Sequence, residues 1–147
     1  MEHKFMIMKK SIILIFAFLL TSVVAFSQET IRYVCTKYFD GDGVEYKGDS
    51  RDVIKLQFHG NARIGQYQGW GTAWWKYHHS ENGNRVYYSV GTDIVTGQEV
   101  MDENSKTIIV VSGDRSYINR IDRWDPNNTR VYVYERRDAD VIGPMRR

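Results

Sequence analysis

Short runs of β-branched and aromatic residues, each closed by a cluster of Gly, Asn and Asp, constrain this chain more than any other feature of its sequence. The clusters are Asp40-Gly41-Asp42-Gly43, Lys47-Gly48-Asp49-Ser50, His59-Gly60-Asn61, Glu81-Asn82-Gly83-Asn84, Thr96-Gly97, Glu103-Asn104-Ser105, Gly113-Asp114 and Asp125-Pro126-Asn127-Asn128. Gly and Asn tolerate positive φ, and Asp bonds its own backbone, so such clusters reverse a chain. No window between them sustains apolar residues at i, i+3, i+4 and i+7, so no long amphipathic helix is expected.

The runs predict strands at 31–39, 44–46, 53–59, 63–68, 72–79, 85–91, 99–101, 106–112, 117–124 and 130–135. Neighbours joined by tight turns pair as antiparallel hairpins, which makes a meander. The expected fold class is all-β: a small closed or nearly closed up-and-down β-barrel, which removes exposed edges, with a two-sheet β-sandwich as the alternative. In 53–59, Ile54, Leu56 and Phe58 alternate with Val53, Lys55, Gln57 and His59, the pattern of a strand with one buried face. Segment 106–112 differs, because Thr107-Ile108-Ile109-Val110-Val111 carries apolar groups to both faces.

The first 27 residues read as a cleaved signal peptide: Lys4, Lys9 and Lys10, then the uncharged run Ile12-Ile13-Leu14-Ile15-Phe16-Ala17-Phe18-Leu19-Leu20, then Ala25-Phe26-Ser27 with small side chains at a cleavage site. The apolar stretch is shorter than the ~20 residues of a spanning helix, so no membrane span is expected once the leader is removed. The remainder has room for one ordinary domain, placed at 28–137, followed by a C-terminal tail at 138–147. An exported, periplasmic or extracellular, soluble protein is expected. A lone cysteine, Cys35, forms no internal disulfide, and its place in an alternating segment predicts a small buried side chain.

The leader holds three lysines and one glutamate of the chain's 20 basic and 18 acidic residues, so acidic and basic groups balance in the rest of the chain. That balance removes the electrostatic footprint of a nucleic-acid-binding domain. Every basic residue after Asp114 is an arginine, which reads as solvated strand faces or a surface for an anionic partner. An outer-membrane barrel would need longer strands with an unbroken lipid-facing row, and Lys55, Lys76, Arg120, Asp122 and Arg123 interrupt the strands here.

This tally of short antiparallel strands behind a leader resembles, in architecture, the small exported lipocalin-type barrels. That family's Gly-x-Trp signature near the first strand is absent: Gly71-Thr72-Ala73-Trp74 has one residue too many and lies mid-chain. The resemblance implies the barrel and carries over no binding residues.

Aromatic residues crowd one stretch, with Tyr67, Trp70, Trp74, Trp75 and Tyr77 followed by Tyr87-Tyr88. A hairpin pairing 77 with 87 and 75 with 89 sets Trp75, Tyr77 and Tyr87 on one face and Trp74, Lys76, His78, Val86 and Tyr88 on the other. The expected ligand-binding residues are Trp70, Trp74, Trp75, Tyr77 and Tyr88, taking a small apolar or aromatic ligand or a glycan at a barrel mouth. The rival reading is a protein-interaction or envelope-structural module. In it the two-sided strand 106–112 and the Arg-rich end contact a second copy or an envelope protein, and Ile109→Asp breaks association without harming the sheet.

Other chemistry has no local support. His78 and His79 are adjacent, and adjacent strand residues face opposite ways unless a bulge intervenes, so with His59 they predict no metal site. Asp40-Gly41-Asp42-Gly43 lacks the later ligands of a calcium loop and reads as a hairpin turn. Asn127-Asn128-Thr129 is read as part of an Asp-Pro turn. No nucleophile elbow or phosphate loop occurs, and no catalytic residue or cofactor is expected.

Overall fold

The computed structural model describes residues 28–138; residues 1–27 and 139–147, where the leader and nearly all of the tail are expected, lie outside the described residues. Every regular element among the described residues is a strand: β1 (Gln28–Phe39), β2 (Glu45–Lys47), β3 (Val53–His59), β4 (Arg63–Tyr67), β5 (Thr72–Glu81), β6 (Asn84–Thr92), β7 (Glu99–Met101), β8 (Thr107–Val111), β9 (Tyr117–Asp122) and β10 (Arg130–Arg136). The ten predicted runs all form, and the largest boundary shift is the three-residue N-terminal extension of β1.

Pairing runs β10-β9-β8-β6-β5-β4-β3-β1, and β10 also pairs with β1 from Tyr33↔Arg136 to Phe39↔Val131. The sheet therefore closes into an eight-stranded antiparallel barrel, with β2 and β7 as extra strands, and the sandwich alternative is set aside. The reason is local. β1 outruns β3, pairing with it only up to Val34↔Val53, and its last residues pair with β2 from Lys37↔Lys47 to Phe39↔Glu45. At this hand-over Gly48 donates its N–H to Thr36 O and lies so close that a Cβ would stand 2.6 Å from the Thr36 backbone. Only glycine lets the two backbones approach this closely.

β6 behaves the same way. Its first half pairs with β8, Arg85↔Val111 to Tyr88↔Ile108, and its last residues pair with β7, Val90↔Met101 to Thr92↔Glu99. The barrel thus carries two short extra strands. β2 lies on the end of β1, which stays in the wall by pairing with β10 to Phe39, and β7 lies on the end of β6, past the last residue that pairs with β8.

The lumen is the core. Ile31, Tyr33, Cys35, Ile54, Leu56, Phe58, Ile64, Trp75, Tyr87, Ile109, Val111, Ile118 and Tyr134 form one buried cluster. An eight-stranded barrel is just wide enough for side chains to fill it. The buried tyrosines satisfy their hydroxyls: Tyr33 donates to Arg115 O at 2.8 Å, Tyr87 to Asn61 O at 2.9 Å and Tyr134 to Asp52 at 2.9 Å. Burial pushes the Tyr33 and Tyr134 hydroxyls far above the ordinary tyrosine range. Cys35 is buried in the core as the small side chain its pattern predicts, and that burial raises its thiol.

The two faces of β8 divide as its sequence requires: Ile109 and Val111 enter the lumen, and Ile108 is buried on the other side between its register partners Tyr88 and Ile121. Ile109 being a core residue, Ile109→Asp tests the barrel and not an outer contact. Several arginines after Asp114 also depart from the solvated reading. Arg115, at positive φ (61°), stacks its guanidinium 4.3 Å over Phe58 and bonds Glu29, Gly60 O and Asn61, closing one barrel end. At the other end Arg120 bonds the Tyr134 hydroxyl, and Arg123 donates twice to Ser105 O. A filled barrel needs caps for its end carbonyls, and an arginine fork on an apolar stem supplies them.

Candidate functional site

The hairpin pairing read from sequence forms, with Trp75↔Ser89 and Tyr77↔Tyr87 in register. That register divides the five candidate aromatic residues. Trp75 points into the lumen and donates its indole N–H to Thr107 O at 3.1 Å, as part of the core. Tyr77 sits on the same inward row, at the barrel end, edge-on to Tyr87 at 6.0 Å. Trp70 stands in the β4–β5 turn, 86% exposed. Only Trp74 and Tyr88 share a surface, the outer wall, where the cross-strand pair Lys76↔Tyr88 sets Tyr88 diagonal to Trp74. The five therefore do not line one cavity.

Around Trp74 the outer wall becomes a built site. Register places His59 opposite Arg63, Arg63 opposite Lys76, and Gly65 opposite Trp74. A Cβ at Gly65 would stand 2.7 Å from the Trp74 ring, so the missing side chain is the space into which the indole settles. From there the ring meets His59, centroids 5.3 Å apart, and the Arg63 guanidinium, 4.2 Å from the ring centroid. A cation over an indole is held by the ring quadrupole, which orients Arg63.

The β6–β7 hairpin folds back over this wall. Its turn is built by Asp93, whose side chain accepts from the Val95 and Thr96 N–H groups, and by Gly97 at φ 70°. The fold-back brings Glu99 to Arg63 Nη2 at 2.8 Å and to Lys76 Nζ at 3.0 Å. The hydrogen bond from Lys76, opposed by burial and aided by the charge of Arg63, holds the Glu99 carboxyl below the ordinary carboxylate range. The strip continues along β5 and β6: His78 stacks on Tyr88 at 4.0 Å and 13°, and pairs with Glu103 at 2.8 Å. A hollow of about 390 Å³ lies along the hairpin, lined by Ser89, Thr92, Val100, Met101 and Glu103 among others.

Two polar atoms in this site are unused. His59 Nε2 and Arg63 Nε are buried without a hydrogen-bond partner, and both side chains lie against Trp74. A buried polar atom left unpaired costs about 1–3 kcal/mol. Arg85 Nε, Asn119 Oδ1 and Arg120 Nε are in the same condition elsewhere in the barrel, and what sets His59 and Arg63 apart is that both lie against one ring.

No protein-family model, no curated protein and no solved structure matches this chain.

The function of the site therefore rests on its own chemistry. From sequence His59 figures only in an unsupported metal set, and none of His59, Arg63, Lys76 and Glu99 is among the expected ligand-binding residues, because each is an ordinary charged or polar strand residue. The one signal present in the sequence was Gly65 in an otherwise regular strand, since such a glycine often marks a close approach. Asp40 serves its turn, accepting from Asp42 N, Val44 N and the Tyr46 hydroxyl, and Asp125 does the same for Asn127.

Proposed function

We propose that this chain is an exported, non-catalytic binding protein that takes a small ring-bearing ligand or a glycan on its outer wall, around Trp74, and not in its lumen. One observation carries the reading: the Trp74 ring is framed by His59 and Arg63, each with a buried nitrogen lacking a partner. Aromatic bodies beside unsaturated polar groups are what a sugar or a substituted ring needs. Tryptophan fluorescence tests it. A panel of oligosaccharides and aromatic metabolites is expected to contain members that quench emission saturably, with the response lost in Trp74→Phe and kept in Trp70→Phe. A flat response across the panel overturns the reading.

A second reading, an interaction module, has its own observation: Ile94 and Val95 at the β6–β7 tip are 99% and 93% exposed. Its test is sedimentation, with Ile94→Asp expected to abolish a concentration-dependent dimer. The same change at the buried Ile109 is expected to unfold the barrel, costing about 4 kcal/mol or more.

A further inference from the structure

We infer that the ligand of this outer-wall site carries a carboxylate on a sugar ring, and that Glu99 occupies the place of that carboxylate until the ligand displaces it. The inference rests on the binding reading above and names its ligand class.

Two cations of the barrel wall, Arg63 on β4 and Lys76 on β5, converge on one carboxylate that belongs to a different body, the β6–β7 hairpin. β6 leaves the wall after Ser89, its last residue in register with β5, and Gly91 follows with open space where a side chain would be. The carboxylate in place is thus tethered by a hairpin that the barrel does not need for closure. It also fits imperfectly. Glu99 takes Arg63 Nη2 at 2.8 Å and Nη1 at 3.5 Å, and leaves Nε unused. A carboxylate approaching the guanidinium side-on engages Nε and Nη2 together, the bidentate pairing that makes arginine selective for such groups. The three side chains are 31%, 37% and 34% exposed, so solvent reaches the ion pairs. Arg63 Nε is buried with Glu99 in place, so a ligand engages it only as the hairpin carboxylate leaves.

The ring requirement separates sugar from peptide. An acidic peptide side chain brings a carboxylate on a flexible stem and leaves His59 Nε2 unmatched. A uronic acid brings its carboxylate on a rigid ring with hydroxyls on adjacent carbons, so one group meets Arg63 and Lys76 while a hydroxyl meets His59 beside the Trp74 indole. Because Glu99 competes from within the same chain, its local concentration is high, on the order of millimolar. A ligand with several uronates in a row overcomes that competition better than a single one.

The test uses the purified protein, titrated by calorimetry with an oligosaccharide of glucuronic acid and neutral sugars, with its carboxyl-reduced counterpart, and with a Glu-rich peptide. Wild type is compared with Glu99→Gln, Arg63→Gln and Arg63→Lys, each checked for sheet content by circular dichroism. The acidic oligosaccharide is expected to bind, about tenfold more tightly in Glu99→Gln. Arg63→Gln is expected to abolish that binding and Arg63→Lys to recover part of it. Equal binding of the carboxyl-reduced sugar overturns the carboxylate while leaving the binding reading intact. Preference for the peptide overturns the sugar, and unchanged affinity in Glu99→Gln overturns the displacement. Absence of binding by all three, in every variant, overturns the carboxylate-bearing sugar; the binding reading falls only with a flat fluorescence response across the wider panel.

Discussion

The Nδ1 atoms of His78 and His79 lie 2.7 Å apart, although the two residues are consecutive in a strand. Strict alternation would send them to opposite faces. A bulge between Tyr77 and His79, where the β5–β6 register shifts, lets both imidazoles meet on one side. Together with Glu103 on His78 Nε2 at 2.8 Å they form a chain of three groups; Glu81, 3.6 Å from His79 Nε2, is beyond hydrogen-bond reach.

That chain dictates tautomers. A carboxylate only accepts, so neutral His78 keeps its proton on Nε2 toward Glu103 and offers the Nδ1 lone pair. His79 must then carry its proton on Nδ1. Nitrogen-15 spectra are expected to show the Nε2–H form for His78 and the less common Nδ1–H form for His79, with Glu103→Gln relaxing both. Finding both His78 and His79 as Nε2–H would show that the contact is not a hydrogen bond.

Gly65 and Trp74 are expected to behave as one unit. Gly65→Ala places a methyl 2.7 Å from the indole and forces it off His59 and Arg63, at a cost of about 1–3 kcal/mol in urea unfolding. In a Trp74→Ala background the same change is expected to cost little. Equal costs in the two backgrounds would refute the coupling.

Tyr134 ties the barrel end together, accepting from Arg120 Nη1 at 2.8 Å and donating to Asp52 at 2.9 Å. Tyr134→Phe keeps the ring and removes the hydroxyl, leaving a cation and a carboxylate each short of one bond. A loss of about 1–3 kcal/mol is expected, and a change below ~0.5 kcal/mol would mean that water replaces the hydroxyl.

Asp114 gives a pH signature. The Ser116 hydroxyl, the Ser116 N–H and the Ser112 hydroxyl hold its carboxyl down at about 2. A carboxyl depressed in the folded state contributes stability above its unfolded value of ~3.9, and that contribution is lost as pH falls through the folded value. Carbon-13 titration is expected to place the Asp114 midpoint near 2, and Ser116→Ala to raise it. A wild-type midpoint near the ordinary aspartate value would show that the turn does not hold the anion.

How far the site was legible depends on the range of each signal. The alternation of Ile54, Leu56 and Phe58 and the turn at Asn82-Gly83, both residues at positive φ, are local. They are readable because side-chain direction in a strand is set by position alone. The same logic placed Trp74 and Tyr88 on one face and Trp75 and Tyr77 on the other, yet could not say which face was the lumen. Aromatic content by itself does not separate wall from lumen: Trp75 belongs to the core.

Sequence by itself determined the ten strands, the antiparallel hairpins, the pairing 77/87 and the burial of Cys35, because turn chemistry and a two-residue period act over a few neighbours. Tertiary structure decided the rest. Closure depends on β1 meeting β10 across most of the chain, and the arginine caps depend on where closure puts the barrel ends. The site itself depends on a hairpin folding back to set Glu99 against Arg63, 36 residues away. Contacts of that range are fixed by the energy of the whole packed barrel, and no local pattern records them.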